Sequence, residues 1–209
     1  MENLIKDIKD YVFSLLQEEL PSTIIYHNYS HTLRVVEKLQ LIIEGENIPE
    51  REAQLLQIAA WFHDVGYIKG VKDHEETSTH IAEAYLKDKM SQEDIDLVKQ
   101  LILATKMDSK PNTLLERVIK DADCSHLASK SFDETSELLK EELRLTKLAD
   151  YSELSWKKEN VNFLTNLHQY HTNFAIENWQ PQKQKNLLKV LKSIEKLEKT
   201  KKVEKQKKK

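Results

Sequence analysis

The 209-residue chain is poor in helix breakers, with three glycines (Gly45, Gly66, Gly70) and four prolines. Leu, Lys, Glu, Ile and Ala make up much of the rest. These residues lose little rotamer freedom in a helix, so the composition favours helix over sheet. Cysteine is nearly absent. Cys124 stands alone and excludes an intramolecular disulfide, which fits a reducing, intracellular setting. Long apolar runs are missing too, and none approaches the roughly 20 residues needed to span a bilayer. The N-terminal stretch MENLIKDIKDYVFSLLQ is interrupted by Lys6, Asp7, Lys9 and Asp10, so it does not read as a signal peptide. The expected location is cytoplasmic. There is no alternating strand pattern, no internal repeat and no glycine-rich phosphate loop.

Charge of one sign is lacking overall, since the net charge is −3, but the ends differ. Residues 183–209 hold 12 Lys and 3 Glu, which leaves residues 1–182 with an excess of acid. An acidic body is a poor general binder of nucleic acid. The expected organisation is one domain over 1–180 followed by a basic amphipathic helix and disordered tail over 181–209. In that tail Leu187, Leu191, Ile194 and Leu197 recur among lysines. At this length about two thirds of the unfolded surface can be buried, so a real core is expected.

Apolar spacing predicts helix after helix. The first covers 2–20. A second runs from His27 to Glu44 and is stopped by Gly45. A third follows Pro49, from Glu50 to about His63, and ends in the apolar string IAAWFHD. Residues 75–89 form a fourth. Ser91 caps a fifth that runs to about Thr105, and a sixth spans Leu114 to about Leu127. Stretches 134–149, 153–178 and 183–200 complete an all-α bundle.

Polar residues stand out inside the apolar helices. His63 and Asp64 end the most apolar one, where an unpaired carboxylate is costly unless it binds a metal. His31 lies one helix earlier. Asp123 sits in VIKDADCSHL, with Asp121 as the alternative. Two imidazoles and two carboxylates make a mixed N/O set that suits Mn, Mg, Fe, Ni or Co better than a thiolate-rich zinc site. Singly, each of these residues also reads as a satisfied or solvated side chain. Their joint occurrence, in this order, is what points to a site.

The order His31, His63-Asp64, Asp123, with the strings YHNYSHTLRVV, AAWFHDVGY and DADCSHL, resembles the HD superfamily of metal-dependent phosphohydrolases over roughly residues 20–150. The resemblance implies a helical HD-domain fold in which His31, His63, Asp64 and Asp123 bind one catalytic metal. The string Tyr26 to His31 is similar to the Y-H-N-x-x-H of cyclic-nucleotide phosphodiesterases. By that likeness His27 is the general acid that protonates a leaving oxygen, placed one helical turn from His31 on the same face. The competing reading has His27 and Asn28 merely capping the helix.

Some features depart from relatives of this type. No His lies between His80 and His126, so the ligand pattern of two-metal members is incomplete. Tyr67 and Ile68 stand where the alarmone hydrolases carry an acidic pair, which argues against that activity. The stretch KGVKDHEETSTHIAEAYL offers His74 as a phosphate contact and Glu75 as a water-orienting base, or simply an exposed helix start with acids favoured by the dipole. Lys69, Lys72 and Lys106 are the nearest cations in sequence, and Lys69 and Lys106 are the expected substrate contacts. Trp156, Phe163, Tyr170, Phe174 and Trp179 read as core or pocket wall rather than a nucleobase platform.

The expected function is hydrolysis of a phosphoester, a nucleotide or cyclic nucleotide by preference, by metal-activated water. The alternative is a non-catalytic HD-fold module that binds nucleotide. The expected partner is a small phosphoester, with no specific nucleic acid, no transmembrane segment and a homodimer left open.

Overall fold

In the computed structural model residues 1–207 are described, without the side chains of Lys201 and residues 204–207. Ten α-helices follow one another and no strand occurs among the described residues. The first six are α1 (Glu2–Glu19), α2 (Tyr29–Gly45), α3 (Glu50–Phe62), α4 (His74–Leu86), α5 (Gln92–Ala104) and α6 (Leu114–Asp123). Short 3-10 turns, Val65–Lys69 and Cys124–Ala128, follow α3 and α6. Beyond them come α7 (Phe132–Leu145), α8 (Glu153–Asn162), a π-helical turn (Phe163–Leu167), α9 (Asn173–Asn178) and α10 (Gln180–Lys207).

The apolar end of α3 decides the architecture. Leu55, Leu56, Ile58, Ala59, Ala60, Trp61 and Phe62 are all buried, so α3 has neighbours on every side: α1, α2, α4, α5 and α6. Each large side chain buried this way contributes about 1.5–3 kcal/mol. Local chemistry sets the ends. Ser91 Oγ accepts from Asp94 N at 3.2 Å to start α5, and Thr113 and Glu116 form a reciprocal capping box at the start of α6. Gly66 is required where the turn after α3 crosses the start of α4. A Cβ there would lie 1.9 Å from the His74 carbonyl oxygen, while the Gly66 amide donates to Ser78 Oγ at 2.8 Å.

Two expected helices are corrected. The second does not begin at His27. Asn28 takes an extended conformation, its side chain accepts from the amides of Ser30 and His31, and α2 starts at Tyr29. The 153–178 stretch is not continuous. It breaks after Asn162 through the π turn, crosses an extended segment, and restarts where Thr172 Oγ1 accepts from Ala175 N at 3.2 Å. Asp121 drives that restart. Its buried carboxylate accepts from the amides of His171 and Thr172 and from the Thr172 hydroxyl at 2.8–3.1 Å, which holds the segment extended.

α10 opens inside the body. Val190 joins Leu127, Phe132 and Leu164 in a second, smaller core. Buried Asn186 donates to the carbonyls of Leu127 and Ser129 at 2.9 and 2.8 Å, and buried Lys183 donates to the His168 carbonyl at 2.7 Å. The helix continues past Thr200 to Lys207. The disordered run expected at the extreme C-terminus falls in part on Lys208 and Lys209, which lie outside the described residues.

Candidate metal centre

Three elements bring the four expected ligands together. α2 carries His31 in its first turn, α3 delivers His63 and Asp64 at its C-terminal end, and the last residue of α6 is Asp123. His31 Nε2 lies 3.3 Å from His63 Nε2, 3.2 Å from Asp64 Oδ2 and 3.2 Å from Asp123 Oδ1. His63 Nε2 lies 3.1 Å from Asp64 Oδ2 and 3.7 Å from Asp123 Oδ1. His31, His63 and Asp123 can place one ligand atom each within 4.8 Å of one another, and Asp64 joins them through the two imidazoles.

The proton positions make this a cation site. His63 Nδ1 is 2.8 Å from the Ala60 carbonyl oxygen, which can only accept, so Nδ1 carries hydrogen and it is Nε2 that points inward at the carboxylates. Asp64 Oδ2 is buried and has no hydrogen-bond partner among the described residues, although two imidazole nitrogens approach it. Buried carboxylates and imidazole nitrogens that converge in this way need positive charge among them, as protons on the imidazoles or as a metal cation. Burial opposes charge on every member of the cluster, but the carboxylates outweigh it on the imidazoles: His31 is held above, and His63 well above, the ordinary histidine range. The imidazoles in turn outweigh burial on the acids, holding Asp64 well below and Asp123 below the ordinary carboxylate range. The donor set therefore fits a divalent cation. His31, His63 and Asp64 are sealed, while the Asp123 side chain keeps 23% of its surface and opens the cluster to solvent.

The other expected residues surround this centre at varying range. His27 precedes α2 instead of riding on it, yet its ring centroid lies 5.5 Å from that of His31. Its Nδ1 pairs with Glu142 Oε1, and Glu142 Oε2 accepts from the amides of Tyr26 and His27 at 2.7 and 3.1 Å. Burial pushes the Glu142 carboxyl up, but His27 and the two amides more than reverse this and lower its pKa. Tyr67 is stacked between two histidines, with centroids 4.4 Å from His27 and 4.0 Å from His74. His74 Nε2 is 3.6 Å from Asp64 Oδ1 and 3.4 Å from Glu75 Oε1, and its Nδ1 faces the Val71 carbonyl at 3.0 Å.

Lys106 is paired with Glu76 at the start of α4, next to Glu75 in the chain. Lys69 reaches away to Glu19 at 3.0 Å on the surface, and Lys72 lies beside Asp73. Asp121, the alternative ligand, is occupied with Thr172 and His171. Of the aromatic residues, Trp156 and Tyr170 are buried, Phe174 and Trp179 pack against the main core, and Phe163 faces a cavity beside the cluster.

Sequence reading missed Glu142, Tyr67 and Arg34. Arg34 lines a cavity of about 380 Å³ with Lys38, Lys130, His31 and Asp123. It is three residues from His31 on α2, so helical spacing could have found it. Glu142 is 115 residues from His27 in a run of acids and carries no local signal.

A family model of the HD domain matches residues 28–155, more than half of the chain. No curated protein and no solved structure matches it. His31, His63, Asp64 and Asp123 all fall inside the matched span, on the three elements that bring them together in an all-helical fold. The chain belongs to the HD domain family, the superfamily of metal-dependent phosphohydrolases.

Proposed function

We propose that the chain hydrolyses a small phosphoester at a divalent cation held by His31, His63, Asp64 and Asp123. The observation that carries this reading is Asp64 Oδ2, buried and without a hydrogen-bond partner, between imidazole nitrogens at 3.1 and 3.2 Å. Mn, Mg, Fe, Ni and Co all suit such a mixed donor set. A divalent cation there supplies Lewis acidity toward a phosphoryl oxygen and makes a water acidic enough to attack near neutral pH.

The chain's own residues do the rest. The Glu142 carboxylate can only accept, so His27 Nδ1 carries hydrogen and Nε2 is left for the substrate. His27 gives its Nε2 proton to the departing alkoxide, and Glu142 fixes the ring and balances its charge. Glu75 orients the attacking water, while His74, with its Nε2 beside Asp64, contacts the phosphoryl group. Arg34, Lys38 and Lys130 give the acidic body a basic wall next to His31 and Asp123, and Lys106 is a further cation on the Glu75 side. The likeness of Tyr26 to His31 to cyclic-nucleotide phosphodiesterases makes cyclic and linear nucleotides the first substrates to try.

The test is a panel of phosphoesters, nucleotides included, assayed with each metal added to the chelator-stripped protein. The expected result is metal-dependent release of phosphate or opening of a diester. A protein that takes up no metal and turns over no ester would be a binding module instead.

A further inference from the structure

The cluster opens on one side into a chamber of about 430 Å³, within the range of about 300–1,000 Å³ usual for small-molecule sites. His27, His31, Tyr67 and Asp123 form its reactive end. Its walls come from the C-terminal half and are apolar: Phe132, Leu139 and Leu143 of α7, Tyr151 and Trp156, and Phe163 of the π turn. Of the polar side chains in the lining, Ser136, Thr135 and Asn160 hydrogen-bond to one another or to backbone, and the Glu159 carboxylate is exposed to solvent. Ser136 Oγ accepts from Trp156 Nε1 at 2.9 Å and from Asn160 Nδ2 at 2.8 Å, and Thr135 Oγ1 donates to the Ser131 and Phe132 carbonyls at 2.9 and 3.1 Å.

One group at the reactive end is different. The Tyr26 hydroxyl is buried and has no hydrogen-bond partner among the described residues, and its ring lies 5.0 Å from His31 and 4.6 Å from His27. A buried hydroxyl without a partner is costly unless a ligand completes it. A base or sugar pressed against Phe132, Leu139, Leu143, Trp156 and Phe163 would leave much of its polar edge unpaired, whereas a hydrocarbon surface would lose nothing there.

We propose that this chamber takes the alcohol arm of the substrate, that the arm is an uncharged hydrocarbon ring or branched chain of similar size, and that Tyr26 donates its hydroxyl hydrogen to a phosphoryl oxygen beside the arm. The inference rests on the phosphohydrolase reading and narrows its substrate to phosphoesters of apolar alcohols, away from nucleotides.

Binding to the Mn²⁺-loaded full chain, measured by calorimetry with three phosphonates, tests it. Methylphosphonate, benzylphosphonate and a nucleoside phosphonate place the same anionic group at the cation with different arms. Benzylphosphonate is expected to bind at least tenfold tighter than the other two. Leu139→Asp, or Leu143→Trp if that variant does not fold, should bring benzylphosphonate to the level of methylphosphonate with Mn²⁺ content unchanged. Tyr26→Phe keeps the ring and should weaken methyl and benzyl compounds alike, by several-fold. Equal binding of the methyl and benzyl compounds, or tightest binding of the nucleoside compound, overturns the apolar arm and leaves the metal phosphohydrolase standing. No Mn²⁺ uptake, or no binding of any phosphonate, overturns both.

Discussion

The two halves of this molecule are held together differently. Helices α1–α6 converge on one large apolar core with α3 at its centre. Helices α7–α10 close over a smaller apolar cluster centred on Leu127, Phe132, Leu164 and Val190. Polar ties make up the difference: Asp121 to Thr172, Asn186 to the turn after Asp123, and Lys183 to His168. The four candidate ligands all come from the first half. The carboxylate that holds His27 and most of the chamber walls come from the second. The rigid half thus fixes where positive charge sits, and the lightly packed half shapes what reaches it. Changes in the first half should therefore cost the metal, and changes in the second should cost chemistry or stability while sparing it.

The largest effect is expected from Asp64→Ala. The substitution removes the buried carboxylate that faces both imidazoles and also lies by His74. Metal content, read by elemental analysis, and hydrolysis should both fall to background with helicity retained. Equal metal in variant and wild type would refute the ligand assignment and blur the distinction between the halves.

Next comes His27 with its partner from the second half. His27→Ala should slow an ester with a poor leaving group by about 10²–10⁴-fold, the usual worth of a positioned general acid. A nitrophenyl ester, whose leaving group needs no proton, should be slowed far less. Glu142→Gln should follow the same pattern in a milder form, because the amide still contacts the ring but no longer balances its charge. Metal content should hold in both variants. Loss of metal in His27→Ala would make His27 a ligand, and equal slowing of both esters would make its role positional.

These two tests also divide what the sequence could show from what it could not. The ligands are legible because a polar residue in an apolar helix is conspicuous, as His63 and Asp64 are at the end of α3. The position of His27 is not, because Asn28 competes for the helix start with its own side chain and pushes His27 out of α2. The break between α8 and α9 has no glycine or proline to announce it. It depends on Asp121, some 50 residues away, capturing the Thr172 amide. Glu142 looks like any acid on an exposed helix until folding buries it against Tyr26 and His27. Nearness in sequence picks out Lys69 and Lys106, which the fold pairs with Glu19 and Glu76. The basic cavity wall is instead built from Arg34 and Lys38 of α2 together with Lys130, which is far off in the chain.

Asp121→Ala sharpens the comparison at the seam. It leaves two amides and a hydroxyl without their acceptor inside the protein. A cost of about 2–4 kcal/mol is expected from such a buried loss, lowering the melting temperature by roughly 4–16 °C for a chain of this size. Metal uptake at room temperature should persist, since the neighbouring Asp123 stays on α6. Unchanged stability would mean that the two halves are joined mainly by apolar contact.

The smallest effect is expected in the second half and only in acid. Burial, with Lys183 nearby, pushes the His168 imidazole down to about 3, and its Nδ1 is buried without a partner. The folded protein thus binds the His168 proton far less readily than the unfolded chain, whose histidines titrate near 6.5. A folded-state pKa lowered in this way gives stability that is complete above about pH 6.5 and is lost as the pH falls from there toward 3. Between pH 7 and pH 5 the loss from this one group amounts to about 2 kcal/mol, at 1.36 kcal/mol per pH unit below the unfolded pKa. His168→Phe keeps a flat ring against Phe163 and Tyr170 and has no proton to gain. Its stability in denaturant should match or exceed wild type at pH 7 and decline less on acidification, with the gap opening between pH 6.5 and pH 5. If the two proteins lose stability in parallel over that interval, His168 is protonated as easily folded as unfolded, and the acid sensitivity of this half lies elsewhere.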